Sequence, residues 1–297
     1  MPRRTRTTIG RLGGDCSILL SYEHIFLYIK LSYTIFSTLS IKLLSISLDK
    51  SDIIYTVIKM QKILSHMRKA IEDYKMIEEG DKIAVCLSGG KDSITMLHAF
   101  KSLQRFYPKK FEIIAVSIDP GFEFFDTKLL QKICNNLKVP LVIEESHTKE
   151  IVFDIRKEKN PCSLCANLRR GIINSIAIRE GCNKIALGHN QDDVLETFLL
   201  NLFYTGSIGT FAPVIYMDRS KITLIRPLIY TPEKETKRFV KKNNIQVMPK
   251  ACPMDGTSKR EDMKEMIFKL QKDIPMVRAN LFGAIQRNID GWKKVSN

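Results

Sequence analysis

Six consecutive residues, Ser88-Gly89-Gly90-Lys91-Asp92-Ser93, place two glycines, a lysine and an acid between an apolar run at 83–87 and apolar residues at helical spacing. Adjacent glycines let the backbone take positive φ and let a ligand approach without a Cβ in the way. The N–H groups of a helix start, with the positive end of its dipole, face the same turn. Together these make an anion site, and phosphate is the usual anion. The plainer alternative is a tight turn capped by Asp92 or Ser93, which would need one glycine and no lysine. The spacing matches neither a Walker A loop nor a G-x-G-x-x-G dinucleotide turn, so another phosphate chemistry is indicated.

Two further stretches carry reactive residue types at what reads as the same sheet end. In "GHNQDDVLET", Gly188 and His189 close a strand, Asp192 and Asp193 open a helix, and Glu196 follows one turn later. Adjacent acids commonly cap helices, which accounts for Asp192 but not for the Gly-His-Asn before it. His189 reads as a hydrogen-bonded core histidine or a substrate contact, not a base, and Asp193 as a magnesium or nucleotide contact. Ser117 and Asp119 end another strand before Pro120-Gly121, either as a plain turn or as a nucleotide contact.

"NPCSLCANLRRG" sets Cys162 and Cys165 three apart after a proline. Such a pair serves zinc, iron–sulfur or disulfide chemistry alike. The second C-x-x-C of a zinc ribbon is missing. Cys252, in "PKACPMDG", is a distant third thiol. Three thiolates can hold three corners of a [4Fe–4S] cluster and leave one iron open to sulfide, whereas four would leave it only electron transfer. Cys86, Cys134 and Cys182 read as small apolar packing residues.

The elements that must position these residues alternate. Met60, Ile63, Leu64, Met67, Ala70, Ile71 and Tyr74 share one helix face, ended by Gly80. Strands follow at 83–87, 111–118, 141–144 and 184–187, with helices to about 106 and at 127–137, 166–180 and 192–203. This predicts an α/β fold, a doubly wound and mostly parallel sheet with helices on both faces, with ligands outside the carboxyl ends of its strands. Residues 60–80 form an N-terminal helix, 81–230 the nucleotide-binding domain and 231–297 a C-terminal helical region carrying Cys252. Residues 1–59 differ in character: arginine-rich at first, then apolar, with Leu31 to Ile41 as the longest charge-free run, too short to span a bilayer. They read as an extension foreign to the rest, with synthesis beginning at Met60.

"SGGKDS" after a strand resembles the pyrophosphate loop of the PP-loop ATPases, a HUP-like superfamily that cleaves ATP between its α and β phosphates. The resemblance implies that Ser88, Gly89, Gly90, Lys91, Asp92 and Ser93 grip the departing pyrophosphate, Lys91 balancing its charge and Asp92 supporting Mg2+. It further implies that Ser117 and Asp119 hold the adenine largely by backbone, beside Gly188 and His189. With "PCSLCANLRRG", "LGHNQDDVLETFLLN", "RPLIYTPEKETKRF" and "CPMDG", the chain from Met60 to about Asn288 resembles the tRNA 2-thiocytidine synthetases, the TtcA family. That likeness implies ATP-dependent adenylation of the C2 oxygen of cytidine 32 in tRNA, with Lys91, Asp92 and Asp193 as the catalytic residues. It also implies replacement of AMP by sulfur from a [4Fe–4S] cluster on Cys162, Cys165 and Cys252, fed by a cysteine desulfurase or another sulfur donor. Two rivals are a uridine-thiolating relative and a non-catalytic nucleotide- or zinc-binding module.

Composition agrees with a polyanionic partner. The net charge is +15, and residues 1–59 hold only eight Lys and Arg against four Asp and Glu, so most of the excess lies beyond them. Basic clusters at 168–171, 236–244 and 257–262 favour tRNA. Seven cysteines without the spacing of a secreted domain suit a reducing cytoplasm, with no membrane partner expected. The reading leaves room for a homodimer.

Overall fold

The computed structural model describes residues 48–123, 125–157, 161–249 and 259–295. The chain falls into two units, 1–56 and 57–297, and the second contains the sheet. Helix α1 (Leu48–Asp73) buries Met60, Ile63, Leu64, Met67, Ala70 and Ile71 at i, i+3, i+4 spacing, with Tyr74 buried just past its end. There follow β1 (Asp81–Cys86), α2 (Lys91–Leu103), β2 (Phe111–Asp119), α3 (Thr127–Leu137), β3 (Leu141–Glu145), a π-helical turn (Glu150–Ile155), α4 (Pro161–Arg179) and β4 (Lys184–Ala186). Then come α5 (Gln191–Leu200), which runs into a second π-helical turn (Asn201–Thr205), β5 (Val214–Met217), β6 (Ile222–Ile225), α6 (Glu233–Lys242), α7 (Lys259–Asp273) and α8 (Val277–Asn288).

The strands form one sheet in the order β3-β2-β1-β4-β6-β5. Every neighbouring pair is parallel except β5 with β6. Side chains alternate between two apolar layers, as a sheet covered on both faces requires. Ile83 and Val85 of β1, with Ile113 and Ala115 of β2, join the core shared with α1, α2 and α3. Ala84, Ile114, Val116 and Ile118 face Ile176 and Ala177 of α4. The chain winds outward from β1 in one direction through β2 and β3, and in the other through β4 and β6. A crevice therefore opens at the carboxyl ends of β1 and β4, where such sheets bind ligands.

The structure agrees with the predicted α/β class and differs in local ways. Helix α4 begins at Pro161, not Ala166. Proline suits a first helical position, where its missing N–H is not needed, and the earlier start places Cys162 and Cys165 on the first turns of α4. Helix α2 stops at Leu103. The β5–β6 hairpin was not expected: each strand has four residues, and the turn between them contains Lys221 at φ +57.

Two polar arrangements hold the frame. At the amino ends of β1 and β4, buried Lys184 pairs with buried Asp81 at 2.7 Å and donates to the Met76 carbonyl. At the C-terminus, Trp292 packs edge-on against Tyr74, whose hydroxyl donates to the Trp292 carbonyl, and the Val295 N–H donates to the carbonyl of Asp73. The C-terminal region thus closes on the end of α1.

Candidate functional site

The loop between β1 and α2 is braced by one hydroxyl. Ser93 Oγ donates to the Gly90 carbonyl at 2.9 Å and accepts from Ser88 N–H and Ser88 Oγ. Gly90 is the N-cap of α2, and no side chain caps the helix start. The plain-turn alternative, with Asp92 or Ser93 as cap, is thereby set aside, and the first N–H groups of α2 remain available to an anion. Gly89 has φ +76, and a Cβ there would fall 1.9 Å from Met248 Sδ, whose residue also donates its N–H to the Gly89 carbonyl. Gly188 lies so close to this helix start that a Cβ would sit 3.3 Å from the Ser93 nitrogen.

Behind the loop runs a chain of charges. Lys91 Nζ contacts Asp92 at 2.7 Å and Glu233 at 3.0 Å. Burial alone would lower the Lys91 pKa, but the two carboxylates outweigh it and hold it raised. Glu233, on the first turn of α6, also meets Lys237 at 2.9 Å and Lys264 at 3.1 Å. Burial would raise its pKa; contacts from Lys237, Lys91 and Lys264 carry it down to about 2. Thr236 Oγ1 donates to Asp92 at 2.6 Å. Asp192 accepts the backbone N–H of Glu233 at 2.7 Å and pairs with Arg278, so it caps α6 rather than its own helix. That corrects the expected role of Asp192: Asn190 is the cap of α5, in a capping box with Asp193.

Asp193 therefore gives one oxygen to the Asn190 N–H, at 2.8 Å. Its pKa is raised, by burial first, against the lowering pull of that N–H and of Arg260, with Asp92 adding to the rise. Glu196, also buried, is pushed up to about 7 by burial and by Asp193.

A cavity of about 700 Å³ opens in front of the loop. Ser88, Gly90, Asp92 and Ser93 form one side, Gly188 and His189 another, and Arg169 and Arg170 of α4 a third. Ser117 is buried within β2, and the Asp119 carboxylate accepts the Gly121 N–H at 2.8 Å; neither lines this cavity. Cys86 does line it, with its thiol pushed up by burial to about 12. Cys162 is exposed and Cys165 half-buried, and both border a second cavity of about 220 Å³ that shares Ala166 and Arg169 with the first. The C-x-x-C thus stands about one helical turn from the nucleotide crevice. Cys252 lies outside the described residues.

Among the described residues no group of three or more His, Cys, Asp or Glu could cage a metal. Magnesium bound with phosphates needs only one or two protein carboxylates, and Asp92 and Asp193 are close enough to influence each other. The thiol pair suits a soft metal centre. Glu233, Arg226, Phe211 and Met248 belong to the site but were missed as site residues. The available signal was "RPLIYTPEKETKRF", which contains Arg226 and Glu233.

A glycine-rich loop opening onto an uncapped helix at the switch point of a parallel sheet defines a nucleotide-binding protein of the PP-loop class, and the model of the PP-loop domain family matches residues 59–269. The chain belongs, within that class, to the family of the tRNA-cytidine(32) 2-sulfurtransferases. It is 40% identical over 228 residues to the one of Syntrophotalea carbinolica, covering 76% of this chain and 88% of that one. With the one of Alkalilimnicola ehrlichii it is 41% identical over 232 residues, covering 76% and 73%. Among solved structures, the U34-tRNA thiolase NcsA from Methanococcus maripaludis, described with its [4Fe–4S] cluster, shares the fold at a TM-score of 0.64 and 24% identity, over 78% of this chain and 80% of that one.

Proposed function

We propose that the protein is an ATP-dependent tRNA thiolase that exchanges the C2 oxygen of cytidine 32 for sulfur. The observation that carries this reading is the shared wall of the two cavities, which joins an open pyrophosphate loop to a C-x-x-C helix through Arg169. The names of the relatives support the substrate. The reaction has two steps. The base's C2 oxygen attacks the α-phosphorus and pyrophosphate leaves; sulfur at the sulfide level then adds to C2, and AMP departs with the oxygen. The first step is needed because an amide-like oxygen is a poor leaving group and AMP a good one.

The residues divide this work. The Ser88–Ser93 loop and the N-terminal N–H groups of α2 hold the leaving phosphates, and Lys91 neutralises their growing charge from a position fixed by Asp92 and Glu233. Asp92 and Asp193 would hold Mg2+, while His189, with its pKa lowered by burial to about 3, stays neutral. Cys162, Cys165 and Cys252 would hold a [4Fe–4S] cluster, which when bound supplies the sulfur.

The test is mass-spectrometric detection of 2-thiocytidine in tRNA incubated with protein, ATP and sulfide under anaerobic conditions. Lys91→Ala should cut tRNA-dependent pyrophosphate release by about a hundredfold or more with iron content intact. Cys162→Ala should lose iron and product while still binding ATP. Normal release by Lys91→Ala would overturn the loop assignment, and 2-thiouridine as product would move the protein to the uridine-specific reading.

A further inference from the structure

The far wall of the larger cavity carries three side chains that neither the phosphate chemistry nor the cysteines use. His189 follows β4, Arg226 follows β6, and Phe211 stands between them. The Phe211 ring centroid is 4.7 Å from that of His189 and 4.9 Å from the Arg226 guanidinium carbon. Arg226 is 7% exposed. Its Nη1 donates to the Ala212 carbonyl, but its buried Nε has no partner, and His189 Nδ1 is buried without one as well. Among the described residues no carboxylate is recorded in an ion pair with Arg226, and burial, with Arg170 nearby, lowers its pKa to about 10. A buried, unpaired guanidinium is costly to keep. So is an orphaned polar atom.

The rest of this wall limits what could satisfy the two atoms. Ile185, Leu187 and Leu224 line it beside Phe211, making an apolar slot that a hydrated phosphate would not enter. A flat heteroaromatic ring suits such a slot, with its face on the apolar side chains and its polar edge on the two unpartnered nitrogens, whose side chains Phe211 holds by its ring contacts. Arg226 Nε–H can only donate, and a neutral imidazole nitrogen can accept. Cytosine offers an acceptor at N3 beside a donor amino group; uracil offers a donor N–H beside an acceptor carbonyl. We propose that His189, Phe211 and Arg226 form a pyrimidine subsite in which the target base, turned out of its stack, lies in this slot with N3 on Arg226 Nε–H and its amino group on His189 Nδ1, both side chains being held in place by Phe211. The C2 oxygen is then left facing Ser88 and Gly90, where the α-phosphate arrives. This assignment rests on the reading of the protein as a tRNA thiolase, and it makes the three side chains positioning residues. Extrusion of the target base is a general device of enzymes that act on bases.

The experiment measures binding of the full chain to an anticodon stem-loop RNA carrying cytosine, uracil or an abasic site at the target position. Wild-type protein should prefer cytosine over the abasic RNA by about tenfold, the scale of one bidentate base contact. In Phe211→Leu and Arg226→Lys that ratio should fall toward one, with affinity for the abasic RNA and for ATP unchanged. His189→Gln should lose the preference for cytosine over uracil. Should Arg226→Lys fail to fold, Phe211→Leu and His189→Gln decide the matter. A ratio that survives in the variants overturns the subsite, and a loss of ATP affinity in Phe211→Leu would assign the slot to adenine. If the ratios behave as stated but wild-type protein makes no thiolated base, the subsite stands and the thiolation reading falls.

Discussion

Lys91 is fixed between two carboxylates, and Glu233 is shared among three lysines, so the Lys91 ammonium has its place set by residues more than a hundred positions apart. Glu196, one turn beyond Asp193, pays the opposite kind of electrostatics. Its pKa of about 7 in the folded protein lies above the ordinary 4.5, so the folded state holds more protons than the unfolded state between those values. The contribution to stability is therefore present below about pH 4.5 and is lost as pH rises to about 7. The loss is on the order of 3 kcal/mol. Glu196→Gln should flatten this part of the stability profile, and urea unfolding at pH 5 and pH 8 checks it; equal pH slopes in both proteins would contradict the raised pKa. The loop and Gly188-His189 were legible in the sequence because their meaning is local: glycines, a lysine and acids at fixed spacing between a strand and a helix. Arg226, Phe211 and Met248 were not, because each looks ordinary beside its chain neighbours and gains its role only when distant segments meet.

Among the elements, α4 bears the C-x-x-C on its first turns and Arg169 and Arg170 just beyond, and these residues border the two cavities. Its true start was visible in Pro161, though the apolar spacing alone suggested a start five residues later. The β5–β6 hairpin escaped because four-residue strands scarcely establish an alternation before the turn interrupts it. At the opposite end of the sheet, Lys184 and Asp81 link the starts of β4 and β1. Lys184→Met would leave the Asp81 carboxylate buried without its cation, a change that typically costs about 3–5 kcal/mol. Denaturant unfolding should show that loss, with ATP binding unaltered in the protein that remains folded. A variant as stable as wild type would mean the pair is expendable.

At the scale of the whole molecule, the +15 charge and the arginines at the crevice predict tRNA binding that weakens steeply with salt. Each phosphate contact removed, as in Arg169→Ala or Arg170→Ala, should flatten the log–log salt slope by about one unit. Titration at several salt concentrations reads it directly, and salt-insensitive binding would contradict it. No helix of the described residues is long and apolar enough to cross a membrane. A chain begun at Met60 keeps Met60, Ile63, Leu64, Met67, Ala70 and Ile71 of α1 and every motif of the site, so it should unfold at the same temperature as the full chain and retain ATP binding; calorimetry with a nucleotide titration is the check. The contact between Asp73 and Val295 fixes the order in which such a chain can be completed. A ribosome releases Tyr74 long before Trp292, which follows it by 218 positions. The end of α1 must therefore wait until the sheet between them has been made before its aromatic partner reaches it, and the nascent protein should be most open to chaperones and proteases in that interval.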